Sequence, residues 1–210
     1  MVIQNAINQA VAAGVPVNTI VLLLMLPIVA LVIALTRNVI GIRGFGIFLP
    51  AALAVVFVAI GPAVGIGLFL LIVVVSTLVR LVLRKLKVKL LYLPRMALIF
   101  WAVVVAILTI VRYLGEISVF AVLILILLAE DFTRVQLGKS VKTAVSLTSE
   151  TLVIALTSFL VLTFRPLQQF VLANPEISLI VVGILDILLA RYSGLRLMEI
   201  WRFRKLVNGK

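Results

Sequence analysis

Two carboxylates sit in otherwise apolar runs: Asp186 within ILDILLARY, and Glu150 near the start of the run that ends at Phe164. An ionisable group inside a bilayer costs ~3 kcal/mol even on lenient insertion scales, so such residues mark either a structural pair or a path for protons or solutes. For Asp186 the structural reading is an ion pair with an arginine of a neighbouring helix, or with Arg191 on its own helix. The functional reading is a proton or substrate path. Glu150 lies closer to the interface and discriminates less. Hydrolysis by an intramembrane aspartate pair needs two opposed aspartates, and Asp131 stands beside Glu130 in a polar stretch instead. The chain has no cysteine and no histidine. Disulfides, thiolate chemistry, zinc sites of the usual ligands and imidazole acid–base work are thereby removed. No cofactor, no metal site and no enzymatic activity are expected.

A second chemical candidate is IGIRGFGIFLP, residues 40–50, where Arg43 lies among Gly41, Gly44 and Gly46. As a phosphate loop it fails, because the G-x-x-G-x-G spacing lacks a preceding strand and a following Lys-Ser/Thr. Two readings remain. In one, Arg37 and Arg43 anchor a short cytoplasmic turn while Gly44 and Gly46 allow close helix packing. In the other, the glycines break the helix so that backbone lines a site, and Pro50 leaves a carbonyl unpaired inside the span.

The elements that must position these residues follow from composition. Of 210 residues, 65% are hydrophobic and 12% charged, far above the roughly 45–50% apolar content of soluble domains. The apolar runs are long and unalternated, which selects helices over a barrel. The expected fold is all-α: a polytopic membrane bundle of about seven transmembrane helices. Its stretches are Val17 to Thr36, Gly44 to Ile60, Ala63 to Leu83, Pro94 to Val111, Ile117 to Ala129, Thr148 to Phe164 and Ile177 to Ala190. The fifth is short for a bilayer needing ~20 helical residues, and extension back through Tyr113 and Leu114 would help it. The polar stretch from about Glu130 to Lys142 reads as a loop with room for a short amphipathic helix, and Gly61-Pro62 as a tight turn joining the second and third spans.

Basic residues test the count, because Lys and Arg of short loops concentrate on the cytoplasmic side. With the N-terminus outside, seventeen of the nineteen fall inside, and only Arg112 and Arg165 fall outside. The domain reading is a short extracytoplasmic N-terminus over 1–16, the transmembrane domain over 17–190 and a cytoplasmic basic tail over 191–210. The N-terminus carries no Lys or Arg before the first apolar segment, unlike a secretory signal peptide.

That tail, RYSGLRLMEIWRFRKL, follows a break at Ser193-Gly194. On a helix Leu197, Ile200 and Trp201 share a face, and Arg196 meets Glu199 at i, i+3. It reads either as an interfacial helix on anionic headgroups or as a dock whose Arg191, Arg196, Glu199, Arg202 and Arg204 bind a partner or a polyanionic product. The net charge of +12 is thus assigned to inner loops and anionic lipid rather than to nucleic acid.

Three stretches, GIRGFGIFLPAAL (41–53), LPRMALIFWAVVV (93–105) and NPEISLIVVGILDILLARYSGLRLMEIWRFR (174–204), resemble the seven-helix membrane domain usually fused to an inactive transglutaminase-like domain in bacteria. A looser likeness, in Gly-Ile-x-x-x-Gly-x-x-x-Pro, is to the small membrane subunit of poly-gamma-glutamate capsule synthesis. The first resemblance implies a transglutaminase-like domain outside the membrane, an association with ATP-grasp ligases, and residence in the prokaryotic plasma (inner) membrane. With some 16 residues before the first span, the chain is expected to be a stand-alone form or a fragment of a longer fusion. The expected function is a non-enzymatic membrane subunit that anchors or couples partners on its two sides. The alternative is a transporter or export subunit for an anionic polymer or small solute, with Asp186 and the second span near its path.

Overall fold

The computed structural model describes residues 2–85, 91–114, 118–138, 141–192, 194 and 197–198, and among them every regular element is helical. The helices are α1 (Val2–Ala12), α2 (Val17–Leu35), α3 (Phe48–Ile60), α4 (Pro62–Lys85), α5 (Tyr92–Leu114), α6 (Val119–Gly138), α7 (Val141–Thr163), α8 (Arg165–Ala173) and α9 (Pro175–Ala190). A π-helical turn, Thr36–Ile40, closes α2. The seven expected apolar stretches are occupied by α2 to α7 and α9.

Length separates them. Among the described residues four helical stretches, Val17–Ile40, Pro62–Leu83, Leu93–Ile110 and Lys142–Thr163, are long and apolar enough to cross a bilayer alone; α8 and α9 reach that length only when the pair, bent by 108°, is counted together. α3 has 13 residues, about 20 Å at 1.5 Å per residue, against a hydrocarbon core of roughly 30 Å.

By packing, the chain forms two compact units, Met1–Val55 with Leu147–Lys210, and Val56–Ser146. In the first, Met25, Val29 and Ile33 line one buried stripe of α2 at i, i+4, i+8. Leu31 of α2 packs with Val182 and Leu189 of α9, flanked by Ile28, Ala34 and Val39. α2 also meets α8, and both α1 and α8 meet α9. The Glu176 carboxylate, in the first turn of α9, accepts the backbone N–H of Ile3 at 3.1 Å and so holds α1.

In the second unit α4 packs against α5 and α6. Each buries a helical stripe: Leu68, Phe69 and Ile72 of α4; Ile99, Val103 and Ile107 of α5; Ala121, Leu125, Leu128 and Phe132 of α6. At the turn before α4, Gly61 takes φ +81, a left-handed value that glycine adopts without Cβ strain.

Three expectations need correction. The helix allowed within the polar stretch from Glu130 is no separate element in a loop: α6 continues to Gly138, and Arg134 reaches back to Glu130 at 3.0 Å and Asp131 at 3.7 Å, spacings that stabilise a helix. Tyr113 and Leu114 extend α5, not the fifth span. The seventh span begins at Pro175, directly after the bend from α8.

Candidate functional site

The Gly-Arg segment becomes a site because of how α2 ends. Thr36 is buried and its hydroxyl donates to the Ile33 carbonyl at 2.8 Å. The Thr36 carbonyl in turn accepts the N–H of Gly41 at 3.0 Å, a five-residue π-type closure, and that of Ile42 at 3.2 Å. Such wide turns occur in single copies and often at functional positions. Gly41 takes φ +95, the left-handed cap that lets the chain leave a helix.

Residues 41–47 are then non-helical, and α3 starts only at Phe48. This non-helical connection between α2 and α3 is common to both readings of the glycines. Pro50 does not act as expected: it stands in the first turn of α3, buried, where its missing N–H is one of the four that no helical carbonyl would accept. It leaves no carbonyl of the span unpaired.

A non-helical connection leaves backbone donors without helical acceptors, and other protein groups then take them. The partner is α7. The Glu150 carboxylate Oε2 accepts the N–H of Arg43, and the Thr151 hydroxyl accepts the N–H of Phe45 at 2.9 Å. Thr151 is fully buried and donates its own proton to the Leu147 carbonyl at 2.7 Å. Its oxygen thus works as donor along α7 and acceptor across to the loop.

Between these two bonds Gly44 presses on α7. A Cβ at Gly44 would lie 3.1 Å from Thr151 Oγ1 and 3.2 Å from Ile154 Cδ1. Close approach is thus the reason for glycine at 44, while left-handed φ is the reason at 41. Gly46, at φ +31, completes the turn into α3.

The face of α7 that receives the loop is narrow and polar. Thr148, Thr151, Ala155 and Ser158 are all buried, at spacings of three and four. Small side chains let backbones approach closely, and hydroxyls supply interhelical hydrogen bonds in lipid.

The clasp leaves the arginine side chains at the break outward: Arg43 is exposed and Arg37 half-buried. Asp186 is elsewhere, on an exposed face of α9, and among the described residues no hydrogen bond or ion pair involves its carboxylate. Arg191, exposed at the C-terminal end of α9, lies five residues on and roughly 140° around the helix, out of reach on that helix. Arg196, Glu199, Arg202 and Arg204 lie outside the described residues. Sequence reasoning missed Thr151; its one signal was a hydroxyl-rich start to the sixth span, SLTSET, beside Glu150.

The described residues contain no cluster of acidic, histidine or cysteine side chains able to hold a metal. An open pocket against α1 and α2 is lined by Ile3, Ala6, Ile7, Leu24 and Leu179 among others, and offers almost no polar surface.

A glycine loop entering a short span, clasped by a hydroxyl-bearing helix in an all-helical membrane chain, is the setting in which the comparisons with known proteins have meaning. The family described as seven transmembrane helices usually fused to an inactive transglutaminase matches residues 9–207. The chain belongs to this family. It is accordingly a multi-pass membrane protein, and the matched region contains the whole clasp, α9 and most of the basic tail. No curated protein and no solved structure matches it. What the family description adds is the association of these helices with an inactive transglutaminase-like domain.

Proposed function

We propose that this chain is a non-enzymatic subunit of the prokaryotic inner membrane that anchors or couples partner proteins, a transglutaminase-like domain outside and an ATP-grasp ligase-like protein inside. The observation that carries the reading is the clasp. The backbone donors freed at Arg43 and Phe45, which a transporter could turn toward a solute, are taken by Glu150 and Thr151 of the same chain. What the break leaves for others is side chains, Arg37 and Arg43, on a rigid backbone.

Supporting arguments come from charge and chemistry. With the N-terminus outside, Arg37 and Arg43 share the inner side with most other basic residues. That orientation places a preceding transglutaminase-like domain outside and sets the basic tail against anionic headgroups. The absence of Cys and His from the chain leaves no nucleophile and base pair of the common kinds.

The rival, export of an anionic polymer or small solute, draws on Asp186 and the broken span. It requires Asp186 to face a polar path, whereas Ile184, Leu185, Ile187 and Leu188 around it are all exposed and apolar.

Two measurements test the proposal. The cysteine-free chain takes single cysteines cleanly, and Asn38→Cys should react with impermeant maleimide only after the inner face is opened; labelling from outside sinks the orientation. Co-expression with the ATP-grasp ligase of the same genome should give a detergent-stable complex that Arg37→Glu with Arg43→Glu abolishes. A complex indifferent to both changes, or none from the intact chain, refutes the inner half.

A further inference from the structure

Within its compact unit, α9 packs against α1, α2 and α8 through one side only. Pro175, Ser178, Val182 and Leu189 are its buried residues. At 100° per residue, Ile180, Gly183, Ile187 and Ala190, spaced three, four and three apart, form a second stripe centred roughly 130° around the helix from those buried residues. All four are exposed, Ile180 at 62% and Ile187 at 61%. A Cβ at Gly183 would meet nothing within 4 Å.

This spacing is the a/d seam of a parallel helix pair, with Ile180 and Ile187 at a and Gly183 and Ala190 at d. Alternating small residues at such a seam let two membrane helices approach closely. The flanks decide what approaches. Asp186 falls at g and Arg191 at e, on opposite sides of the seam, and in a parallel pair a g residue faces the e residue five positions later on the other helix. Asp186 and Arg191 are five apart, so they cannot meet on one helix and they do meet between two identical ones.

We propose that a second copy of this chain packs along α9, seam to seam, with Asp186 of each copy paired to Arg191 of the other. Copies in one membrane share one orientation, so a two-fold axis along the membrane normal makes the helices parallel and the two pairs equivalent. The face is self-complementary in charge as well as shape. It supplies a cation to a carboxylate that would otherwise stand in lipid, and it keeps the two aspartates on opposite flanks, apart from each other.

The test uses the cysteine-free background in native membranes. Ile187→Cys should form a disulfide-linked dimer under mild oxidation, and Leu185→Cys, exposed on α9 but away from the seam, should not. In the Ile187→Cys chain, D186R alone and R191D alone should each weaken dimerisation roughly tenfold, the scale of an interhelical polar contact in a bilayer, and the two together should restore it. Ile187→Cys that stays monomeric, or Leu185→Cys that crosslinks equally, overturns the interface. Should a charge variant fail to insert, the comparison of cysteine positions with the native Asp186 and Arg191 still decides. Normal insertion of all three charge variants without restoration by the double exchange overturns the ion pair.

Discussion

Thr151→Val removes one oxygen and keeps the shape of the side chain, which makes it the sharpest probe of the clasp. The hydroxyl accepts the Phe45 N–H at 2.9 Å in a site where Thr151 itself is 0% exposed. Valine offers no acceptor, so the amide is left without its partner against α7, a cost of about 1–3 kcal/mol for an unsatisfied buried donor. The Leu147 carbonyl loses the hydroxyl's bond as well, at smaller cost because a helical carbonyl keeps its ladder partner.

Two assays read this directly. In detergent the melting temperature should fall by roughly 2–12 °C, taking 2–4 °C per kcal/mol for a chain of this size. Hydrogen exchange at Phe45 should speed up roughly 5- to 150-fold if the amide exchanges by local opening of the loop. Thr151→Ser keeps the oxygen and should retain most of the protection. If Thr151→Val leaves Phe45 as protected as in the parent, or Thr151→Ser exposes it more, the hydroxyl is not what holds the loop.

Glu150→Gln should weaken the loop less than Glu150→Leu, because the amide oxygen still accepts the Arg43 N–H without the charge assistance; exchange at Arg43 ranks the three. Gly41→Ala should cost about 1–2 kcal/mol through its left-handed φ of +95, read as a lower melting temperature with Thr151 intact. Gly65→Ala places a Cβ 2.8 Å from the Phe57 ring; it should destabilise the chain, and Phe57→Leu should recover part of the loss in a double-mutant cycle. Asp131, beyond the apolar half of α6, has its pKa raised by burial, with Arg134 opposing and Glu130 adding. The folded state therefore binds this proton more readily than the unfolded one, and the associated stability is lost as pH rises through the folded pKa. Asp131→Asn should remove that component, so the difference in melting temperature between variant and parent should favour the variant at pH 7 and shrink toward pH 4.

Hydropathy made the helices legible because burial in lipid is read residue by residue: α2, α4, α5 and α7 match runs that any window finds. The break was half legible. Gly41, Gly44 and Gly46 marked it, but its acceptors lie 106 and 107 residues away, and no local pattern shows which helix will supply them. Helix α6 was read as ending with its apolar run, although Glu130 and Arg134 stand at the spacing that carries a helix onward. The dipeptide Arg165-Pro166 was passed over, yet proline at N1 or N2 opens α8, and a second proline, Pro175, opens α9 at the bend.

The position of the break is set by α7 more than by the glycines themselves. Glycines permit a non-helical stretch, but its freed backbone donors need acceptors waiting at the right height. α7 offers them within one turn: Glu150 and Thr151 are consecutive, and their acceptors take the alternate donors Arg43 and Phe45. Alternation is what an extended segment requires, since successive N–H groups point to opposite sides. Two further buried hydroxyls on that face, Thr148 Oγ1 and Ser158 Oγ, have no hydrogen-bond partner among the described residues. They flank Thr151 by three and seven residues. Sliding the loop one turn along α7 would therefore exchange one hydroxyl acceptor for another while abandoning Glu150. The carboxylate is the group that fixes the register, which is why its replacement by leucine, and not the loss of either spare hydroxyl, should let the loop shift and carry Arg37 and Arg43 away from the surface they define.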